Sequence, residues 1–218
     1  LFVRTPGTVW LAYVVTGVMV ACSGFFEPAR SATVPSIVPR EKLVAANAIS
    51  TGTWSAIGGG LPGTATCLLA LPNGDLVVGG EFSTIGSIAC NGIARWDGSA
   101  WQPFGTGLRS FGVLSVAQLN NGDLVVGGQF YMSSLSNLAR WDGSVWSPLG
   151  NPSAEVGCLA VMTNGDLVAG GAFTGVGTVA APNLARWNGS AWTAFPAGPS
   201  GTVAGLRVLP NGDLVVGR

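Results

Sequence analysis

The chain has 218 residues, of which 48% are apolar, 9% are charged and 34 are glycine. This apolar content excludes intrinsic disorder, and ten basic residues balanced by ten acidic residues leave no basic surface for nucleic acid. The sequence contains no histidine. Because histidine is the most common general base and metal ligand, we expect a protein that is not an enzyme and holds no cofactor or metal.

The composition changes near residue 50. Residues 1–50 carry four basic and two acidic side chains, a net charge of +2, and only 3 of the 34 glycines. Residues 51–218 carry six arginines and eight acids, a net charge of −2, and the other 31 glycines. We therefore predict an N-terminal unit over 1–50, a seam over 51–53 and a second unit over 54–218.

The N-terminal unit begins with a long uncharged stretch. No charged residue lies between Arg4 and Glu27, and those 22 residues would form a helix of roughly 33 Å, enough to cross a hydrocarbon core of about 30 Å. The pattern predicts a transmembrane α-helix that contacts the membrane through residues 7–26, with its basic C-terminal flank in the cytoplasm. An alternative is a lipoprotein signal that is cleaved before Cys22.

The segment after this predicted helix carries a recognisable motif. It reads FFEPARSATVP over residues 25–35 and VPREKLVAANA over residues 38–48. This segment resembles major facilitator superfamily efflux permeases. The resemblance implies that residues 7–49 correspond to the fourth membrane helix, the cytoplasmic loop and the start of a short following helix. Since one such helix cannot transport a substrate, the alternative function is a permease fragment that is fused to repeat sequence, naturally or by gene assembly.

From Trp54 onward the sequence repeats itself. The tryptophans at 54, 101, 146 and 192 are separated by 47, 45 and 46 residues. Each unit also contains an Asn-Gly-Asp triplet (73–75, 121–123, 164–166 and 211–213), and an Ala-Arg-Trp-Asp/Asn-Gly-Ser motif occurs at 94–99, 139–144 and 185–190. A period of this length with glycine and tryptophan marks is typical of β-propeller blades.

One unit divides into four predicted strands. They are Cys67–Leu71, Leu76–Phe82, Ile93–Trp96 and a strand that begins at Trp101. The unbroken apolar run of the second strand predicts burial on both faces. Its Gly79-Gly80 pair predicts close approach of neighbouring backbone. The unit as a whole is therefore predicted to be all-β.

The repeats resemble kelch-type, galactose-oxidase-like β-propeller repeats, in which an apolar strand ends in Gly-Gly and two aromatic residues follow. This implies a partial propeller of about 3.5 four-stranded blades, with units near 62–107, 108–150, 151–197 and 198–218. Propellers close with about four to eight blades, so we expect a longer protein or pairing with another copy. The structural repeat positions predicted are Gly79, Gly80, Arg95, Trp96, Trp101, Gly127, Gly128, Arg140, Trp141, Trp146, Gly170, Gly171, Arg186, Trp187 and Trp192.

The recurring polar residues favour a structural role over chemistry. One aspartate follows each Asn-Gly pair, but the further ligands of a calcium loop are missing. We therefore predict that each repeated arginine pairs with an acid within or between blades. Cys67 and Cys158 occupy equivalent positions and are predicted to be packed thiols, whereas Cys90 lies in a predicted loop where a thiol could react.

These observations favour a non-enzymatic binding scaffold with an N-terminal membrane segment. Its binding surface would be the variable loops Ser83–Asn91 and Tyr131–Asn137. The ligand or protein partner stays open. The protein is expected to be membrane-associated: the charge count places the repeats in the cytoplasm, whereas the repeat type is typical of exported proteins. A lipoprotein-anchored propeller is the further alternative.

Overall fold

The computed structural model describes residues 63–108, 110–132, 135–196 and 198–218. These residues are all-β and contain no helix, and accordingly none that could cross a lipid bilayer. The predicted membrane segment over 7–26, the permease-like segment, the seam and Trp54 lie outside the described residues.

Eighteen strands follow one another in the described part of the chain. The first blade region contains β1 (Thr64–Ala70), β2 (Leu76–Glu81), β3 (Thr84–Ile85), β4 (Ile88–Ala89), β5 (Ile93–Trp96) and β6 (Trp101–Pro103). The second contains β7 (Ser110–Gln118), β8 (Leu124–Met132), β9 (Leu135–Trp141) and β10 (Trp146–Pro148). The third contains β11 (Val156–Val161), β12 (Leu167–Gly171), β13 (Gly175–Val176), β14 (Val179–Ala180), β15 (Leu184–Trp187) and β16 (Trp192–Ala194). The last two strands are β17 (Gly205–Val208) and β18 (Leu214–Gly217).

The main strands form three four-stranded antiparallel sheets and a two-stranded one. Their orders are β1-β2-β5-β6, β7-β8-β9-β10, β11-β12-β15-β16 and β17-β18. We call these sheets blades 1, 2 and 3 and partial blade 4. Each is a simple meander, as the predicted strands require, and together the sheets of the described residues do not close a ring.

The loops between the second and third main strands are more ordered than the sequence suggests. The predicted loop Ser83–Asn91 contains the short hairpin β3–β4, and blade 3 has the equivalent hairpin β13–β14. In blade 2 the same connection is instead an extension of β8 and β9, in which Tyr131 pairs with Ser136. These polar and glycine-rich segments lack the alternation of apolar and polar residues that indicates a strand, so the sequence predicts loops there.

The Asn-Gly-Asp triplets form the turns between the first two strands of each blade. In blade 1 the Gly74 N–H donates to the Leu71 carbonyl at 2.8 Å, and the Leu71 N–H donates to the Asp75 carbonyl at 2.8 Å. Gly74 has φ +88°, and Gly122 and Gly165 repeat this conformation at +92° and +91°. Because a side chain is strained at such a φ, the turn favours glycine.

The first glycine of each Gly-Gly pair is where the next blade packs. A Cβ atom at Gly79 would lie 2.7 Å from Cγ1 of Val113, which belongs to the first strand of blade 2. A Cβ atom at Gly127 would likewise lie 2.7 Å from Cγ1 of Val156. At the first glycine the close neighbour is therefore a side chain from the first strand of the following blade and not backbone. The predicted backbone approach is found at the second glycine, since a Cβ atom at Gly80 would overlap the Thr64 carbonyl oxygen.

Hydrogen bonds also join successive blades. The Thr66 hydroxyl donates to the Val113 carbonyl, and the Leu159 N–H donates to the Ser115 hydroxyl at 3.0 Å. The Trp146 indole N–H donates to the Phe104 carbonyl at 3.0 Å. Since buried apolar clusters also contain side chains from adjacent blades, the blades form one continuous packed array rather than separate sheets.

Candidate functional site

A cleft of about 460 Å³ opens between blades 1 and 2. It lies at the end of the blades that carries the turns after the first and third main strands. Volumes of this size are typical of small-molecule sites. The side chains that give it its chemical character come from both blades and are Arg95, Phe104, Gln118, Asn121, Trp141 and Asp142.

The residue that precedes the asparagine of each turn determines whether a side chain covers the turn glycine of the following blade. Asn120 of blade 2 places its Nδ2 atom 2.7 Å from the Cβ position of Gly165, which lies in the blade 3 turn. In blade 1 the equivalent residue is Pro72, and nothing lies within 4 Å of the Cβ position of Gly122. The cleft is therefore open over Gly122 because proline has no side-chain amide to extend across it.

Two of the three repeated arginines are held closely by an aspartate of the same blade. The Nε atom of Arg140 donates to Oδ2 of Asp123 at 2.6 Å, and its terminal nitrogen contacts the same oxygen. Arg186 contacts Asp166 through the same two nitrogens. Pairing of these arginines with an acid, as predicted, is therefore observed, and the acid lies within the blade.

Arg95 in blade 1 is the exception. Its NH1 atom is 3.7 Å from Oδ2 of Asp75, which is beyond hydrogen-bond distance. The Arg95 side chain is 42% exposed and lines the cleft. The guanidinium N–H groups of Arg95 are therefore available to the cleft. In Arg140 and Arg186 the corresponding N–H groups bond to an aspartate instead.

The different pairing predicts different effects of removing each arginine. We expect Arg140→Ala to lower the free energy of unfolding by about 1 kcal/mol, because it deletes a charge-assisted hydrogen bond that is partly exposed to solvent. Arg95→Ala should lower it by less than about 0.5 kcal/mol. Urea denaturation of the two variants and the parent chain measures both values. Equal losses for the two variants would contradict the structural difference between the pairs.

Gln118 is a polar residue at a position that is otherwise apolar. It pairs with Leu124 across the sheet, as Ala70, Val161 and Val208 pair with leucines in the other blades. Its Nε2 atom donates to the Gly122 carbonyl at 3.2 Å. This leaves the amide oxygen and a second N–H beside the cleft. Comparison of the repeats at this one position is the sequence signal that would have identified Gln118.

Aromatic rings from both blades form the apolar part of the cleft. Phe104 of blade 1 meets Trp141 of blade 2 edge-on, with ring centroids 5.7 Å apart and an interplanar angle of 86°. Trp141 also packs against Trp146 with centroids 5.2 Å apart. These contacts fix the Trp141 ring, since edge-to-face pairs are favourable at such distances.

Asp142 supplies a negative charge at the edge of the cleft. Its Oδ1 atom accepts hydrogen bonds from the Ser144 N–H at 2.9 Å, the Ser144 hydroxyl at 2.8 Å and the Val145 N–H at 2.9 Å. The bonds from Val145 and Ser144 hold the pKa of the Asp142 carboxyl below its ordinary value. Asp142 is therefore ionised at neutral pH.

The equivalent turn of blade 1 predicts a dependence of stability on pH. Hydrogen bonds from Ala100 and Ser99 lower the pKa of Asp97 to about 2. Because the pKa is depressed in the folded state, the stabilisation is present above about pH 4 and is lost as the pH falls towards about 2. In Asp97→Asn the stability should fall less between about pH 4 and about pH 2 than in the parent chain. The turn geometry should be kept, because Asn188 makes the same turn hydrogen bonds in blade 3. Urea denaturation at pH 6 and at low pH, with parent and variant compared, tests this; identical pH profiles would contradict it.

The remaining predicted positions serve the blades themselves. The tryptophan pairs are cross-strand neighbours, with ring centroids 5.3 Å apart for Trp96 and Trp101 and 5.6 Å apart for Trp187 and Trp192. The second glycines, Gly80, Gly128 and Gly171, lie against a backbone carbonyl in the first strand of their own blade or, for Gly171, directly before it. The structure thus brings only Arg95 and Trp141 of the predicted positions into the cleft. The predicted binding loop Ser83–Asn91 and the described residues of the predicted loop Tyr131–Asn137 lie at the opposite end of the blades.

The cysteines of the described residues are packed thiols, and the prediction of a reactive Cys90 is wrong. Cys90 is fully buried behind the β3–β4 hairpin, and burial raises its pKa to about 11. Burial likewise raises the pKa of Cys67 to about 12. The packed environment expected for Cys67 and Cys158 is observed, since both lie against the first glycine of a Gly-Gly pair, Gly79 and Gly170. Within the described residues no group of three acidic, cysteine or histidine side chains could hold a metal.

Comparison with known proteins agrees with the architecture. The profile of a domain of unknown function (DUF5122), described as a β-propeller, matches residues 71–96, the segment from the first turn of blade 1 to the end of β5. None of the curated proteins matches the chain. These findings support a β-propeller-like fold, and they support neither the kelch resemblance nor the major facilitator resemblance in particular.

Two solved structures are similar to the chain at low identity. A streptogramin B lyase is 12% identical with a TM-score of 0.46, over 70% of this chain and 47% of that one. The extracellular domain of a one-component system from B. thetaiotaomicron is 14% identical with a TM-score of 0.47, over 73% of this chain and 21% of that one. The chain therefore spans about half or less of the length of these structures.

Proposed function

We propose that the repeat region is a non-enzymatic, β-propeller-like scaffold that binds a small ligand in the cleft between blades 1 and 2. The observation that carries this proposal is the convergence of Arg95 from blade 1 with Gln118 and Trp141 from blade 2. The Trp141 ring is fixed by Phe104 and Trp146 and the Gln118 amide by the Gly122 carbonyl, so this part of the cleft is formed before a ligand arrives, while Arg95 stays free to turn towards it. A preorganised site of this kind loses little entropy on binding.

The residues near the cleft support binding rather than catalysis. Asp123 is engaged by Arg140. Hydrogen bonds from its own turn hold the pKa of Asp142 below its ordinary value, whereas a general acid at neutral pH needs a raised pKa. The sequence supplies no histidine, and the thiols of Cys67 and Cys90 are buried with raised pKa values.

A fragment screen by NMR tests whether the cleft binds ligands. The full chain would be titrated with neutral, anionic and cationic fragments, and the indole N–H signal of Trp141 would be followed. We expect a subset of fragments to shift this signal and to lose affinity in Arg95→Ala. If no fragment of any charge shifts the Trp141 signal, the proposal is wrong.

The N-terminal residues carry a separate proposal that rests on their sequence. Residues 7–26 would anchor the repeats to a membrane, either as a helix or, if Cys22 is lipidated, through acyl chains. Carbonate extraction of membranes from cells that express the full chain distinguishes anchoring from a soluble state. Loss of anchoring in Cys22→Ser alone would identify the lipoprotein alternative. Sequencing one continuous transcript across codons 40–60 tests the permease fusion.

A further inference from the structure

The chemical groups that remain available in the cleft are both donors and acceptors of hydrogen bonds. Arg95 offers guanidinium N–H donors, because the nearest aspartate oxygen is 3.7 Å away. Asp142 uses its Oδ1 atom in the turn, which leaves Oδ2 as an acceptor. Gln118 can both donate and accept through its amide. A ligand that matches all three must itself carry groups that donate and accept.

The charges around the cleft disfavour a strongly charged ligand. Arg95 and Asp75 lie close enough to offset each other, as do Arg140 and Asp123. Asp142 adds one negative charge at the edge, so the net charge of these groups is −1 and an anion is disfavoured. A cation inside the cleft would lie against the exposed Arg95 guanidinium, which repels it at close range although Asp75 offsets the Arg95 charge at longer range. The best electrostatic match is a neutral molecule.

The aromatic wall adds a preference for a ring with an apolar face. Trp141 lines the cleft and its ring is fixed by Phe104 and Trp146. An indole face carries partial negative charge, which attracts the weakly positive C–H groups of a saturated ring. A sugar ring combines such C–H groups with hydroxyls that donate and accept.

From these observations we infer that the cleft between blades 1 and 2 binds a neutral carbohydrate, with Arg95, Gln118 and Asp142 bonded to its hydroxyls and Trp141 against its ring. This inference rests on the proposed function and names the ligand class for the same site. The equivalent place between blades 2 and 3 lacks three of these features, because Val161 replaces Gln118, Asn188 replaces Asp142 and Arg140 is held by Asp123.

The repeats supply the variants for a test. Gln118→Val installs the residue that blade 3 has at this position, and Pro72→Asn installs the residue that covers the turn glycine of blade 3. Both replacements occur naturally in this chain at Val161 and Asn120, so both should fold. The matched control is Arg186→Ala, because Arg186 occupies the position equivalent to Arg95 but lies outside the cleft. This variant is measured below its own melting temperature, so that it is folded.

The experiment measures binding of methyl β-glucopyranoside, cellobiose and maltose to the full chain by NMR, each up to about 10 mM, which reaches the weak end of useful affinities. Glucuronate and glucosamine are the charged comparisons. We expect at least one neutral sugar to shift the Trp141 indole signal. Its affinity should fall about tenfold or more in Arg95→Ala, Gln118→Val and Pro72→Asn, and stay unchanged in Arg186→Ala.

Three results would overturn the inference. The first is binding of glucuronate or glucosamine without any of the neutral sugars, and the second is neutral sugar binding that Gln118→Val and Pro72→Asn leave unchanged. The third is the absence of binding by all five compounds. In the first and third cases the fragment screen described above still decides independently whether the cleft is a binding site, so failure of the ligand class is distinguishable from failure of the proposed function.

Discussion

Replacing Gly127 with alanine is expected to lower the free energy of unfolding by about 3 kcal/mol, the upper part of the range for overpacked cores. The new Cβ atom would lie 2.7 Å from Cγ1 of Val156 and 3.0 Å from the Val156 carbonyl oxygen. Both contacts come from Val156, whose side chain is fully buried, so there is little room for relaxation. Denaturation in guanidinium chloride, with parent and variant compared, measures the loss.

Two further variants separate overpacking from a general cost of losing glycine. Gly201 has nothing within 4 Å of its Cβ position, so Gly201→Ala should change stability by less than about 0.5 kcal/mol. Val156→Ala should relieve the overlap, so the double variant should lose less than the sum of the two single losses. A Gly127→Ala variant as stable as the parent would show that blade 3 does not pack against this glycine.

Removing the ring of Phe173 is the second large effect that we expect. Phe173 follows the Gly-Gly pair of blade 3, is fully buried, and packs in one cluster with Val176, Ala181 and Trp192. Phe173→Ala should lower the free energy of unfolding by about 4 kcal/mol through lost burial and the cavity left behind. The same guanidinium chloride titration gives this value.

A conservative replacement controls for this prediction. Phe173→Leu keeps most of the apolar volume and should lose only about 1 kcal/mol. A loss for Phe173→Ala that does not exceed the loss for Phe173→Leu would mean that the ring is not part of the closed core between β12 and the β13–β14 hairpin.

Most of the blade could be predicted because its determinants are local in sequence. Asn73-Gly74 specifies the first turn through the positive φ that glycine accepts, and the apolar run from Leu76 specifies a strand with two covered faces. The recurrence of these signals every 43 to 48 residues gives the number and order of the main strands. The four-stranded meander follows from that order.

The cleft could not be predicted because it depends on how adjacent blades meet. No local signal shows that Pro72 would leave Gly122 uncovered, since the covering residue and the glycine are 50 positions apart and belong to different blades. The freedom of Arg95 is likewise a matter of distance to Asp75, although its sequence context matches that of Arg140. The sequence predicts a binding surface on the variable loops instead, because variation in loop length is visible in a sequence, whereas the geometry between blades is not.

The contact between successive blades is the basis of both the fold and the cleft, and nuclear Overhauser measurements test it most directly. In the full chain we predict cross-peaks from the Gly127 α-protons to the γ-methyl protons of Val156, and from the Gly79 α-protons to those of Val113, because a Cβ atom at either glycine would lie 2.7 Å from the valine Cγ1. Absence of both cross-peaks in a folded sample with assigned signals would contradict the stacked-blade arrangement, and with it the cleft between blades 1 and 2.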